Sequence, residues 1–143
     1  MSTTRATGEP PALRFEDLVV GSQSPPSALT VSTEQVAVFH ALAGTGTDDM
    51  SLVPPMLLAS FRPLKDFLAL PVGVLHIEDE LTLHHSARVG ANLVIQLSIA
   101  DKFEKYDRNY VIVEQRVSDE KGEAIVSISR RISWPSSQRE DLR

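Results

Sequence analysis

Cysteine is absent from the chain, which excludes disulfides and every reaction that needs a thiolate. A cysteine-free chain fits a reducing compartment, and the expected location is the cytoplasm. Aromatic residues make up only 6% of the sequence, too few for the stacked platforms on which proteins hold single-stranded nucleic acid. Long apolar runs are missing as well. None approaches the ~20 residues that cross a bilayer, and the opening MSTTRATGEPPA has no apolar signal-peptide core. Positive charge is in deficit, with 14 basic against 19 acidic side chains and a net charge of -5. No long-range field therefore draws the chain toward nucleic acid or an anionic membrane, and neither is an expected partner.

What remains is a 143-residue chain, 42% hydrophobic, with enough apolar content for one globular domain. Residues 1–12 are polar and rich in proline near their end, and read as a flexible lead-in. The domain is expected over 13–135, followed by a charged tail over 136–143. Ser32 and Gln35 match a capping box, and Val36, Phe39 and Ala43 recur behind it at helical spacing. Gly44 ends that helix. A second helix is expected over 55–70, where Leu57, Phe61, Leu64 and Leu68 form an apolar stripe, with Pro63 kinking or dividing it. After Pro71 the period changes to two. Leu93, Ile95, Leu97 and Ile99 alternate with Val94, Gln96, Ser98 and Ala100. Val111, Val113 and Val117 share a side with Gln115 between them, and Val126, Ile128, Ile132 and Trp134 share another. Half-polar strands imply an antiparallel sheet whose apolar face the helices cover, with one further strand near 28–31.

Several stretches carry a resemblance. They are the segment Phe15, Glu16, Asp17, Leu18 to Gly21, the run from Phe39 through His40 and Ala43 to Gly44, and Leu52, Val53, Pro54, Pro55, Met56. The strand from Gly73 to His85, followed by Arg88, Val89 and Gly90, is a further one. In order and spacing they are similar to the MaoC-like branch of the hot-dog superfamily, which holds (R)-specific enoyl-thioester hydratases and 3-hydroxyacyl-thioester dehydratases. The resemblance covers about 15–134. It implies an α+β hot-dog fold, an antiparallel sheet wrapped around a central helix. It also implies an acyl thioester of coenzyme A or acyl carrier protein as ligand, no cofactor, and a homodimer or a heterodimer with a catalytic hot-dog subunit.

The chain departs from the family where the family does its chemistry. Active hydratases carry an aromatic residue, three positions, a small residue and Gly, then Asp-x-Asn-Pro-x-His. Phe39, Ala43 and Gly44 match, but the Asp falls on Thr45, the Asn on Thr47, the Pro on Asp48 and the His on Met50. Neither Thr45 nor Met50 can do acid–base work near neutral pH. Several readings stay open. The chain is a noncatalytic subunit, or an active hydratase in which Asp48 or Asp49 serves as base near His40, or a thioester-binding homodimer with other chemistry or none. A hot-dog thioesterase would need a carboxylate on the second helix, where Asp66 is the one available.

Other residues add candidates. His76, Glu78, Glu80, Thr82 and His84 alternate onto one face of their strand, with Ile77, Asp79, Leu81 and Leu83 on the other. No zinc-ligand spacing occurs and no metal is expected, while His76 and Glu80 are candidates for a site at a subunit boundary. Pro55, Met56, Leu57 and Phe61 are candidates for the wall of an acyl tunnel. Gly44 and Gly46 match no phosphate-binding loop, and no G-x-S-x-G elbow is present. Lys102, Lys105, Arg108, Lys121, Arg130 and Arg131 are interleaved with acids and read as a solvated strand face, or as cations that meet the phosphates of a carrier.

Overall fold

The computed structural model describes residues 13–44, 50–61 and 63–135, with the side chains of Lys65 and Asp66 outside that description. The lead-in expected over 1–12, the tail over 136–143, and the candidates Asp48 and Asp49 all lie outside the described residues.

Helix α1, Thr33–Ala43, starts as its sequence dictates. The Gln35 N–H donates to Ser32 Oγ at 3.1 Å and the Ser32 N–H donates to Gln35 Oε1 at 2.8 Å, so two of the orphan donors of a helix start are satisfied. Gly44 stops it at φ +69°, a left-handed conformation that lets its N–H return to the His40 carbonyl. Of the expected apolar face only Val36 is fully buried, while Phe39 is half-buried and Ala43 exposed.

The second helix is divided. Helix α2, Pro55–Ala59, opens with proline at its first position, where no N–H is needed. Helix α3, Leu64–Phe67, follows after Pro63, which cannot continue a helical hydrogen-bond ladder from the preceding turn. Leu58 and Ala59 are the buried residues of α2.

The main sheet is antiparallel and five-stranded, in the order β1-β5-β6-β7-β3. Its strands are β1 Ser27–Leu29, β3 Leu75–Leu83, β5 Leu93–Lys105, β6 Arg108–Asp119 and β7 Ala124–Trp134. The short strands β2 Leu52–Val53 and β4 Ala87–Arg88 pair separately and clip the start of α2 to the end of β3. Hairpin β5–β6 closes through Tyr106 and Asp107, both left-handed at φ 52° and 64°, the geometry of a type I′ turn. Register shifts between Ile99 and Asp101, Val117 and Ser118, and His76 and Glu78 bend the strands. Bulges of this kind raise the local twist, which curls the sheet over α2.

The concave face carries the residues that the alternation predicts: Leu93, Ile95, Leu97 and Ile99 of β5, Val111, Val113 and Val117 of β6, and Val126, Ile128, Ile132 and Trp134 of β7 are all buried. These residues form two apolar clusters. One joins Val36, Val53 and Leu58 to Ile95, Val117, Val126 and Ile128, and the other joins Leu18 and Leu68 to Ile99, Val113, Ile132 and Trp134. The N-terminal segment closes the second cluster. Trp134 Nε1 donates to the Leu13 carbonyl at 3.1 Å, and Lys102 Nζ donates to the Phe15 carbonyl at 3.1 Å while lying over the Phe15 ring. Lys102 is thus a half-buried tie across the domain rather than part of a solvated face.

Leu58 is 1% exposed and seats α2 in the first cluster, whereas Leu42 on α1 is 83% exposed. Leu58→Ala should lower the unfolding free energy by about 2–5 kcal/mol, and Leu42→Ala should stay within about 0.5 kcal/mol, both read from urea denaturation.

Candidate functional site

Between the two clusters the concave face turns polar. Gln115 lies on β6 between Val113 and Val117, and Arg130 lies on β7 between Ile128 and Ile132, each fully inside the strand alternation. Gln115 is 0% exposed and Arg130 3%. Both meet the C-terminal end of α2. Arg130 Nη2 donates to the Ala59 carbonyl at 2.8 Å and Gln115 Nε2 donates to the Phe61 carbonyl at 2.7 Å, while Arg130 Nη1 donates to Gln115 Oε1. A helix end leaves carbonyls without partners and carries partial negative charge, so a buried guanidinium and amide are suited to it. Arg130 therefore faces the core, not solvent or a carrier phosphate.

The charge of Arg130 is met from β3. Asp79 Oδ1 lies 3.6 Å from Arg130 Nε and 2.6 Å from His76 Nε2. His76 and Asp79 share a side because of the bulge at Ile77. Cross-strand partners occupy the same face, and His76 pairs with Ile132 while Asp79 pairs with Arg130, both inward positions on β7. Beyond the bulge Glu78 faces Arg131 and Glu80 faces Ser129 on the outer side. Uninterrupted alternation would group His76 with Glu78 and Glu80. The extra residue moves His76 across to join Asp79.

Beside this network opens a cavity of about 620 Å³ lined by Phe39, His40 and Ala43 of α1, Pro54, Pro55, Met56, Ala59 and Ser60 around α2, and Asp79 of β3. A smaller one of about 210 Å³ continues past His40, Pro54 and Pro55 to Leu83 and Ser86. His40 and the proline pair line both cavities. The wall of the larger cavity is apolar except at His40, Ser60 and Asp79, and the Ser60 hydroxyl is used in a 2.6 Å bond to the Leu57 carbonyl.

The structure brings His40, Pro55 and Met56 together on the cavity wall and sets His76 behind Asp79. It places Leu57 and Phe61 against the first apolar cluster and Glu80 on the outer face of β3. His84 reaches Ser127 at 3.1 Å and His85 lies 3.8 Å from Glu123, and neither lines the cavity. Asp79 and Gln115 are members of this site that the sequence does not single out, and Arg130 is one that it groups with the solvated or carrier-facing cations. The signal was there for two of them, since positions 115 and 130 each interrupt a run of inward-facing aliphatics. Among the described residues no group of three His, Asp or Glu is arranged to hold a metal ion, and no helix is long and apolar enough to cross a membrane.

No family model and no curated protein matches this sequence. Solved structures do. The chain is similar to monoamine oxidase regulatory protein from Archaeoglobus fulgius, with a TM-score of 0.74 and 13% identity over 88% of this chain and 96% of that one. An unliganded (R)-hydratase from Pseudomonas aeruginosa gives 0.70 at 17% identity over 88% of each chain. The C-terminally truncated (3R)-hydroxyacyl-ACP dehydratase complex HadBC from Mycobacterium tuberculosis gives 0.66 at 16% identity over 80% of this chain and 96% of that one. The chain has the hot-dog fold, in the form shared by MaoC-like dehydratases and (R)-hydratases.

Arg130→Ala leaves two buried acceptors, Gln115 Oε1 and the Ala59 carbonyl, without their donor and removes the cation beside the partly exposed Asp79. The expected loss is about 2–5 kcal/mol of unfolding free energy, from about 1–3 kcal/mol for each buried acceptor left unpaired. Arg131→Ala, half exposed beside Glu78, should cost under about 1 kcal/mol in the same denaturation experiment.

Proposed function

We propose that this chain binds an acyl thioester, carried on coenzyme A or acyl carrier protein, as one subunit of a hot-dog hydratase or dehydratase pair. The cavity beside α1 and α2 carries the reading: about 620 Å³, walled by Phe39, Ala43, Pro54, Pro55, Met56 and Ala59, with its polar groups few and grouped. A pocket of that size with an apolar wall and a few convergent polar groups is the usual form of a small-molecule site. The structural neighbours support the ligand class, since they include an (R)-hydratase and a hydroxyacyl-ACP dehydratase. The loop after α1 carries Thr45 and Met50 at the positions of the family's acid–base pair, so the subunit is noncatalytic at that loop. A cytoplasmic setting belongs to the same reading, in keeping with a chain that has no cysteine to oxidise.

Pairing with a second hot-dog chain is part of the proposal. Strand β3 ends the sheet order, and Leu75, Ile77 and Leu83 along it are about half exposed. An open edge with apolar side chains is a template for another strand, and two of the structural neighbours are the complexes HadBC and ChsH1-ChsH2. The second member is another copy of this chain or a catalytic hot-dog subunit.

Isothermal titration of the purified chain with butyryl-CoA and octanoyl-CoA should show saturable binding, weakened at least tenfold by Ala43→Trp, which fills the cavity from the exposed end of α1. No binding of either thioester would overturn the reading. Sedimentation should give a dimer that Ile77→Lys shifts toward monomer.

A further inference from the structure

We infer that Asp79 is the base of this cavity, the carboxylate that takes a proton from a water adding to an enoyl thioester, with His40 supplying the proton to the substrate's C2. The inference rests on the reading that an acyl thioester occupies the cavity, and it gives the chain an acid–base site of its own in place of the loop pair. Hydration of a conjugated thioester needs one group to accept a proton from water and one to deliver a proton to carbon. Thr45 and Met50 offer neither. Among the described residues that line the cavity, two side chains can do such work: the carboxylate of Asp79 on β3 and the imidazole of His40 on α1.

Asp79 is also held as a reacting group must be. The bulge at Ile77 leaves it inward beside His76, and both neighbours, His76 Nε2 at 2.6 Å and Arg130 Nε at 3.6 Å, meet the same oxygen, Oδ1. Among the described residues no hydrogen bond ends on Oδ2, and Asp79 is one of the residues that line the cavity. A carboxylate that served only to neutralise Arg130 would need no imidazole behind it. Arg130 is fixed in turn by the Ala59 carbonyl and Gln115, so the orientation of Asp79 is tied to the helix that forms the cavity wall.

The step balances without a cofactor. The water oxygen bonds to C3 as its O–H breaks, and that proton goes to Asp79. The electron pair of the C2=C3 bond moves toward the thioester carbonyl and returns to form a C–H bond at C2 with the proton of the His40 imidazolium. Solvent returns the proton of Asp79 to His40. Dehydration of the 3-hydroxyacyl thioester is the reverse.

The test uses the purified full chain with crotonyl-CoA and trans-2-octenoyl-CoA, following loss of the conjugated absorbance, with octanoyl-CoA binding measured in parallel. The wild type should hydrate at least one of them. Asp79→Asn should lower kcat about 10²-fold or more with the octanoyl-CoA Kd within twofold, and His40→Gln should lower it about tenfold or more. Asp79→Glu keeps a charge beside Arg130 and should fold with a melting temperature near wild type and reduced kcat, which separates chemistry from folding. Glu78→Gln, on the outer face of the same strand, should retain wild-type turnover. Full activity in Asp79→Asn, or binding of octanoyl-CoA without hydration of either enoyl thioester, would overturn the inference and leave the binding proposal standing. Failure to bind any acyl-CoA would overturn the binding proposal and this inference with it.

Discussion

A guanidinium placed inside the sheet's concave face organises this domain. Arg130 sits where the alternation of β7 calls for an aliphatic residue, and removing its charge from water costs several kcal/mol unless partners surround it. Those partners shape the rest. The Ala59 carbonyl fixes where α2 ends, Gln115 holds the guanidinium from β6 and reaches Phe61, and Asp79 brings a negative charge in from β3. Each link joins an element far away in sequence, so α2, β6 and β3 are all tied to one buried guanidinium.

The regular parts of the fold were legible because local chemistry decides them. Ser32 and Gln35 can satisfy helix-start donors wherever the helix lies, Gly44 accepts a left-handed backbone, and the Leu93 to Ile99 alternation has one way to bury itself. Three features were hidden. The β5–β6 turn uses Tyr106 and Asp107 at positive φ, without the Asn-Gly pair that marks such turns. The bulge at Ile77 shifts the facing of His76, and a single sequence has no marker for one extra residue in a strand. Arg130 read as surface because charged residues are rarely buried, although its place between Ile128 and Ile132 pointed inward.

The candidate site follows the same division. His40, Pro55 and Met56 line the cavity because they flank the junction of two elements that the sequence marks clearly. In the sequence Asp79 alternates onto the face of Ile77, Leu81 and Leu83 and is one acid among several on its strand. What distinguishes it is tertiary: the partner across the strand and the bulge before it. Glu80, one position on, points to the outer surface. The chemistry of this cavity thus depends on the facing of single residues along β3, and an edge strand is where a fold most easily changes facing.

The band formed by Gln115 and Arg130 also partitions the interior, with Leu58, Val117 and Ile128 on the cavity side and Leu68, Val113, Ile132 and Trp134 on the other. On β5 the clusters still adjoin, through Ile95 and Leu97, and elsewhere side chains more than about 7–10 Å apart across the band combine nearly additively. The domain therefore has two mutational compartments. Substitutions that reshape the compartment next to the cavity for a longer or shorter acyl group leave the Trp134 compartment to carry the stability, and new ligand preferences can accumulate on one side without eroding the other.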